Sequence, residues 1–210
     1  MQFTEKSFTI PGPVGSLEAV LTKPSGECAL LAIICHPHPL HGGSMTNKVI
    51  TTIAKAYQNL QCATLRFNYR GVGNSQGSYA EGIGETEDLL SMLAWSKREF
   101  PNLAIALAGF SFGCYVCARA ISENAAIAHT LWVAPAITHC DFDTLKPPAC
   151  PWWVIQGARD EVVDPVAVLA WCDAQVNPPQ VICMNEASHF FHGQLIELRS
   201  HIEALLKGLA

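Results

Sequence analysis

The residues Gly109-Phe-Ser111-Phe-Gly113 present a serine between two glycines at a spacing suited to nucleophilic chemistry. A serine hydroxyl attacks well only when it is exposed on a tight strand-to-helix turn, and glycines two residues to either side let neighbouring backbone close in around it. The apolar run Leu103-Ala-Ile-Ala-Leu-Ala108 reads as the strand, and Cys114-Tyr-Val-Cys-Ala-Arg119 as the helix, whose N-terminus favours developing negative charge. A second match, Gly73-Asn-Ser75-Gln-Gly77, lacks that setting. Its strand ends near Phe67, and Gly-Ser-Tyr-Ala-Glu-Gly follows where a helix should begin, so Ser75 reads as a loop residue. The bland alternative for Ser111 is a glycine-rich packing turn, and the rest of the constellation decides between the two.

Such a serine needs a base to take its proton and a carboxylate to orient that base; for a serine on a strand-to-helix turn of this kind the expected chain order is Ser, acid, His. His189 follows the apolar run Val181-Ile-Cys-Met184 after a short Asn-Glu-Ala-Ser loop, where it can face the nucleophile. His192 reads as a cap or surface residue of a final helix, His201 lies within that helix, and His129 and His139 read as structural. For the acid, Asp160 lies just beyond Trp152-Trp-Val-Ile-Gln156. Its rival Asp164 precedes Pro165 and an apolar helical pattern, and so reads as a helix N-cap.

The tetrahedral intermediate needs two N–H donors, one from the residue after the nucleophile, Phe112, and one from a loop after an earlier strand. That loop is Cys35-His-Pro-His-Pro-Leu-His-Gly-Gly43. Pro37 and Pro39 have no N–H, which leaves His38 as the choice and Leu40 as the reserve. Leu40, Phe112, Phe190 and Phe191 are the expected apolar walls of a substrate site. Three histidines between prolines also invite a metal reading, but no nearby carboxylate completes a set, and no metal or cofactor is expected.

These residues must be positioned by a parallel sheet. Two short alternating strands, Phe3 to Ile10 and Ser16 to Thr22, precede apolar strands at 29–35, 63–67, 103–108, 130–134, 152–156 and 180–184. Helical patterns lie near Asn47 to Leu60, Gly84 to Arg98, Phe112 to Glu123, Val166 to Val176 and Gly193 to Leu209. Strands apolar throughout are covered on both faces, so an α/β architecture with a mostly parallel sheet of about eight strands is expected. In such sheets ligands bind beyond the carboxyl ends of the strands, where Ser111, Asp160, His189 and the His38 loop all fall. The irregular stretch Ala136 to Cys150 suits a surface loop and not an inserted cap.

Composition narrows the rest. At 210 residues the chain is expected to form one domain, 1–210. With 50% hydrophobic and 15% charged residues it should fold compactly. A net charge of −5 without a Lys/Arg cluster speaks against a nucleic-acid partner. The apolar run 103–121 reads as strand, turn and helix and not as a membrane span. The polar first fifteen residues lack the core of a signal peptide, so a cytoplasmic location is expected, and the nine cysteines read as reduced thiols, with Cys114 and Cys117 as packing. Partnership with a second copy is left open.

His36-Pro-His-Pro-Leu-His-Gly-Gly-Ser-Met-Thr-Asn-Lys48 and Arg66-Phe-Asn-Tyr-Arg-Gly-Val-Gly-Asn-Ser-Gln-Gly77, with the elbow above, resemble the α/β-hydrolase superfamily from Ser16 to Ala210. The likeness is to its capless small bacterial hydrolases near the dienelactone hydrolases. It implies the α/β-hydrolase fold, a triad of Ser111, Asp160 and His189, and Phe112 as one oxyanion donor. Dienelactone hydrolases carry a cysteine where this chain has Ser111, so their particular reaction is not implied. The expected activity is hydrolysis of a small carboxylic ester or related acyl bond. The alternatives are an amidase or peptidase with the same triad and a catalytically idle ligand-binding protein.

Overall fold

A computed structural model describes residues 2–123 and 126–208. One eight-stranded sheet is built from β1 (Phe3–Gly12), β2 (Gly15–Pro24), β3 (Leu30–Cys35), β4 (Ala63–Phe67), β5 (Ala104–Phe110), β6 (His129–Val133), β7 (Trp152–Gly157) and β8 (Gln180–Met184). The helices are α1 (Lys48–Asn59), α2 (Ile83–Glu99), α3 (Phe112–Ser122), α4 (Pro165–Asp173) and α5 (Leu195–Leu206). The strand order is β1-β2-β4-β3-β5-β6-β7-β8, antiparallel from β1 to β4 and parallel from β4 to β8. This is the α/β-hydrolase fold that the resemblance implies, with the mostly parallel sheet that the strand and helix patterns anticipate.

Side chains alternate across the parallel strands into two cores. Ile34, Ala108, Val133 and Ile155 pack with α1 and α5, whereas Leu31, Ile33 and Leu107 pack with α2 and α3. Trp132, Trp152 and Val154 form a further cluster with Cys114 of α3 and with Val168 and Cys172 of α4. Burial on both faces explains why β3 and β5 are apolar throughout and β7 apolar up to Gln156, while β1 and β8, at the sheet edges, are partly exposed.

The direction of winding reverses between β3 and β5: β4 lies on one side of β3, and the chain then crosses to β5 on the other. That reversal opens a crevice beyond the carboxyl ends of the two strands. The segment between β6 and β7 carries no helix or strand, and no described helix is long and apolar enough to cross a membrane.

Boundaries depart from the sequence expectation where local geometry intervenes. β5 runs to Phe110, because Gly109 and Phe110 pair with Trp132 and Val133, so the strand delivers the chain directly to Ser111. Left-handed backbone at Phe191 (φ 52°) and Gly193 (φ 75°) forbids a helix before residue 194. α5 therefore starts at Leu195, and His192 is not its cap. The expected end of that helix, Leu209, lies outside the described residues. Asp164 does cap α4, accepting the Val166 N–H at 3.0 Å.

His129 begins β6, at the opposite end of that strand from the crevice. It is buried, and its Nε2 lies 3.0 Å from the Tyr57 hydroxyl of α1. Burial pushes its pKa down from 6.5 to about 4, so the folded protein refuses a proton that the unfolded chain accepts. Its contribution to stability is full above pH 6.5 and is lost as pH falls towards 4, a change of roughly 2–3 kcal/mol. Urea unfolding across that range should show the loss, and a Tyr57→Phe/His129→Leu variant should show a shallower slope.

Candidate active site

Ser111 stands between β5 and α3 with φ 55° and ψ −117°, a conformation that non-glycine residues rarely adopt. Its own N–H is tied to Val133 O at 2.9 Å, and its carbonyl accepts the Cys114 N–H at 2.9 Å. The flanking glycines are required by contact. A Cβ on Gly109 would lie 2.5 Å from the Gly113 carbonyl carbon, and one on Gly113 would collide with the backbone of Cys35 and His36. The turn is thus pressed against the end of β3, which brings the loop after that strand beside the serine.

Asp160 and His189 arrive from the loops after β7 and β8, which are laced together. Ala158 N–H donates to Met184 O (2.9 Å) and Arg159 N–H to Ala187 O (3.0 Å), and a Cβ on Gly157 would strike the Ala187 carbonyl. His189 Nδ1 lies 2.8 Å from Asp160 Oδ2, and His189 Nε2 lies 3.2 Å from Ser111 Oγ. All three residues are buried. An ionised carboxylate only accepts, so Asp160 holds the ring proton on Nδ1 and leaves the Nε2 lone pair for the serine hydroxyl.

The carboxylate is fully engaged. Oδ1 accepts the N–H groups of Val162 and Val163, each at 2.8 Å, and Oδ2 accepts Gln156 Nε2 at 3.0 Å beside the histidine. Burial by itself would raise the Asp160 pKa. The hydrogen bonds from His189 and the two amides outweigh it and hold the carboxyl below its ordinary value. Gln156, wholly buried, was not singled out from sequence; the available signal was a polar side chain closing an otherwise apolar strand at its carboxyl end. Glu161 is a second such residue, accepting the His189 backbone N–H at 3.2 Å.

The loop after β3 narrows the choice of oxyanion donor. Leu40 N–H donates to His38 Nδ1 (3.2 Å), His41 and Gly43 N–H donate to His38 O (both 3.1 Å), and Gly42 N–H donates to Pro39 O (3.2 Å). With prolines at 37 and 39, His38 keeps the one backbone N–H of residues 37–43 without a partner among the described residues, and Leu40 loses its place as the reserve. His36, buried, braces the loop: Nδ1–H donates to Pro37 O (2.7 Å), and Nε2 accepts the Tyr69 N–H (3.1 Å). Burial pushes the His36 pKa to about 4, which keeps the ring neutral.

A cavity of about 470 Å³ opens over Ser111, lined by His38, Tyr79, Phe112, Tyr115, His139, Cys140 and Val163 among others. Four expectations about the cavity need correction. Leu40, 68% exposed, and Phe190, 40% exposed, do not line the cavity, because the Pro39–His41 turn points Leu40 to solvent and the Phe190 ring packs against Phe110 and His189. Phe191 is wholly buried in the core. His139, taken for a structural residue, lines the cavity, because the irregular loop after β6 folds back across the crevice.

Ser75 lies away from this geometry. Its buried hydroxyl donates to Asn68 O (2.7 Å) and accepts the Glu18 N–H (2.9 Å), pinning the loop after β4 to β2.

The eight-stranded sheet and the strained serine turn place the molecule among the α/β hydrolases. It is similar to an α/β serine hydrolase homologue from Coxiella burnetii (47% identity, 96% of this chain and 97% of that chain, TM-score 0.92). It is similar also to XC6422 from Xanthomonas campestris, described as an α/β serine hydrolase without a lid (40% identity, 97% and 94% of the two chains, TM-score 0.92). An uncharacterized protein, RP471, from Rickettsia prowazekii is 32% identical over 204 residues, covering 93% of this chain and 86% of the other. No family model matches. The chain belongs to the family of lidless α/β serine hydrolases.

Close packing at the elbow sets a measurable cost. Gly109→Ala should lower the free energy of unfolding by about 1–3 kcal/mol through overpacking. Gly26→Ala, with nothing within 4 Å of the added carbon, should change it by less than about 0.5 kcal/mol in the same urea titrations.

Proposed function

We propose that the protein hydrolyses a small carboxylic ester or related acyl bond, with Ser111 as nucleophile, His189 as general base and Asp160 as the carboxylate that orients it. The observation that carries this reading is the continuous chain from Asp160 Oδ2 through His189 to Ser111 Oγ, at 2.8 and 3.2 Å. His189 Nε2 takes the hydroxyl proton as Ser111 Oγ attacks the acyl carbon, and the carbonyl π pair moves onto oxygen. The N–H of Phe112, in the first turn of α3, and the N–H of His38 receive that oxyanion. Collapse expels the alcohol, which takes the proton from His189, and leaves an acyl-enzyme on Ser111. Water, deprotonated by the same nitrogen, then releases the acid.

Asp160 supports each protonation of His189 by stabilising the imidazolium, and its depressed pKa keeps it ionised while the ring cycles. With no helix or strand inserted between β6 and β7, the cavity is open and of a size suited to short acyl groups. No step calls for a metal or cofactor.

Intact-mass spectrometry after fluorophosphonate treatment tests the assignment. A single adduct should form on the wild-type protein and on Ser75→Ala, be absent from Ser111→Ala, and form far more slowly on His189→Ala. Labelling that survives Ser111→Ala would overturn the mechanism, and a wild-type protein that takes no label would favour an idle binding role.

Steady-state kinetics with p-nitrophenyl esters should show kcat reduced by about 10³–10⁴ in Asp160→Asn, because the neutral amide no longer selects the productive tautomer. A reduction under tenfold would remove Asp160 from the triad.

A further inference from the structure

Beside three histidines, His38, His41 and His139, the acidic and basic side chains of the cavity are one-sided. Two carboxylates line it, Glu81 and Asp141, and no Lys or Arg does. Among the described residues neither carboxylate is in an ion pair. The nearby guanidinium of Arg119 lies 5.7 Å over the Tyr115 ring and pairs with Glu123 at 4.0 Å, outside the cavity lining. His38, the histidine packed on Phe112, has its pKa lowered by burial and by its neighbour His41, so it contributes no positive charge to the wall at neutral pH.

The same wall is aromatic. Tyr79 and Phe112 have ring centroids 6.1 Å apart, and Phe112 and Tyr115 are 6.3 Å apart, forming a continuous run of rings beside Ser111. Aromatic faces attract cations within about 6 Å of the ring centre, most strongly when water is partly excluded. Glu81 stands next to this wall in a left-handed conformation, φ 56°, followed by Gly82 at φ 82°. The buried Glu85 carboxylate holds it there by accepting the Ala80 N–H at 2.9 Å and the Gly82 N–H at 2.7 Å. A strained non-glycine residue persists where its surroundings over-determine it, and here that residue places a carboxylate at the cavity rim.

Resting on the hydrolase reading above, we propose that the cavity selects esters whose short apolar arm ends in an ammonium-type cation, with Glu81 and Asp141 as the residues that determine this preference. The aromatic run would contact the alkyl shell of the cation while the carboxylates offset its charge. The same carboxylates would repel an arm ending in a carboxylate.

Matched substrates isolate the effect of charge from that of shape. Rates of 2-(trimethylammonio)ethyl butyrate would be compared with those of 3,3-dimethylbutyl butyrate, its uncharged carbon isostere. To place the charge on the acyl side, the phenyl esters of 4-(trimethylammonio)butanoic acid and 5,5-dimethylhexanoic acid form a second pair, and the phenyl monoester of succinic acid supplies the anion. In at least one pair kcat/KM should favour the cation by about tenfold at low salt, with the anion slowest, and the preference should shrink in 0.5 M NaCl.

The ratio within the pair should fall towards one in an E81Q/D141N protein, and because it is taken within one variant, any loss of rate common to both members cancels. p-Nitrophenyl butyrate serves as the reference. Turnover of that ester with cation-to-neutral ratios of one or less in both pairs, or a preference that survives E81Q/D141N, overturns the charge selection and leaves the hydrolase reading standing. Absence of turnover with every ester, together with no fluorophosphonate adduct on Ser111, overturns both.

Discussion

The placement of the proposed nucleophile and of both proposed oxyanion donors depends on one backbone conformation, that of Ser111. Positive φ at a residue with a Cβ costs of order 1–3 kcal/mol, so it must be imposed by its surroundings. β5 imposes it from one side through its pairing with β3 and β6, and α3 from the other through the Cys114 N–H to Ser111 O bond. The glycines at 109 and 113 let strand, helix and the end of β3 approach closely enough to hold the turn. The result is a hydroxyl at the tip of a turn whose following amides lack helical partners, with the loop after β3 packed against it. The proposed nucleophile and both proposed oxyanion donors are thus located by the same contact between Gly113 and the Cys35–His36 backbone.

The proposed acid and base are located differently, by the loops after β7 and β8, which hydrogen-bond to each other. Asp160 accepts four hydrogen bonds, and this saturation keeps a buried carboxylate ionised against the cost of burial. A carboxylate held from four sides has little rotational freedom, so the histidine it orients keeps one tautomer and one direction. Gln156 joins this arrangement from inside the sheet, which couples the end of β7 to the acid itself.

The two Gly-x-Ser-x-Gly segments show what chain context decides. Ser111 and Ser75 have the same flanking pattern, but one follows a buried strand and opens a helix while the other sits in a loop. The loop serine spends its hydroxyl on Asn68 O and the Glu18 amide, and with Glu18 and Asn74 it ties that loop to β2. Its burial was not visible in sequence, because a polar loop rich in Asn, Ser and Gly looks solvated until its partners on β2 and β4 are known. The same blindness explains His139, which a surface-loop reading removed from the site, and the removal of Leu40 and Phe190 from its walls. Which way a loop folds over a crevice depends on contacts that no local pattern encodes.

By itself, the order of residues determined the strand and helix sequence, the mostly parallel sheet and the strand-turn-helix around Ser111. Period, apolar runs and glycine spacing act within a few residues of one another, and so can be read along the chain. It also ranked Asp160 above Asp164, since a helix cap has a local signature. Only the tertiary structure decided that Asp160, His189 and Ser111 lie within hydrogen-bond reach, that His38 keeps the free amide of its loop, and that Glu81 and Asp141 face one cavity with three aromatic rings. Those relations join segments up to 78 residues apart, and their geometry comes from the packing of sheet and loops, which sequence spacing does not measure.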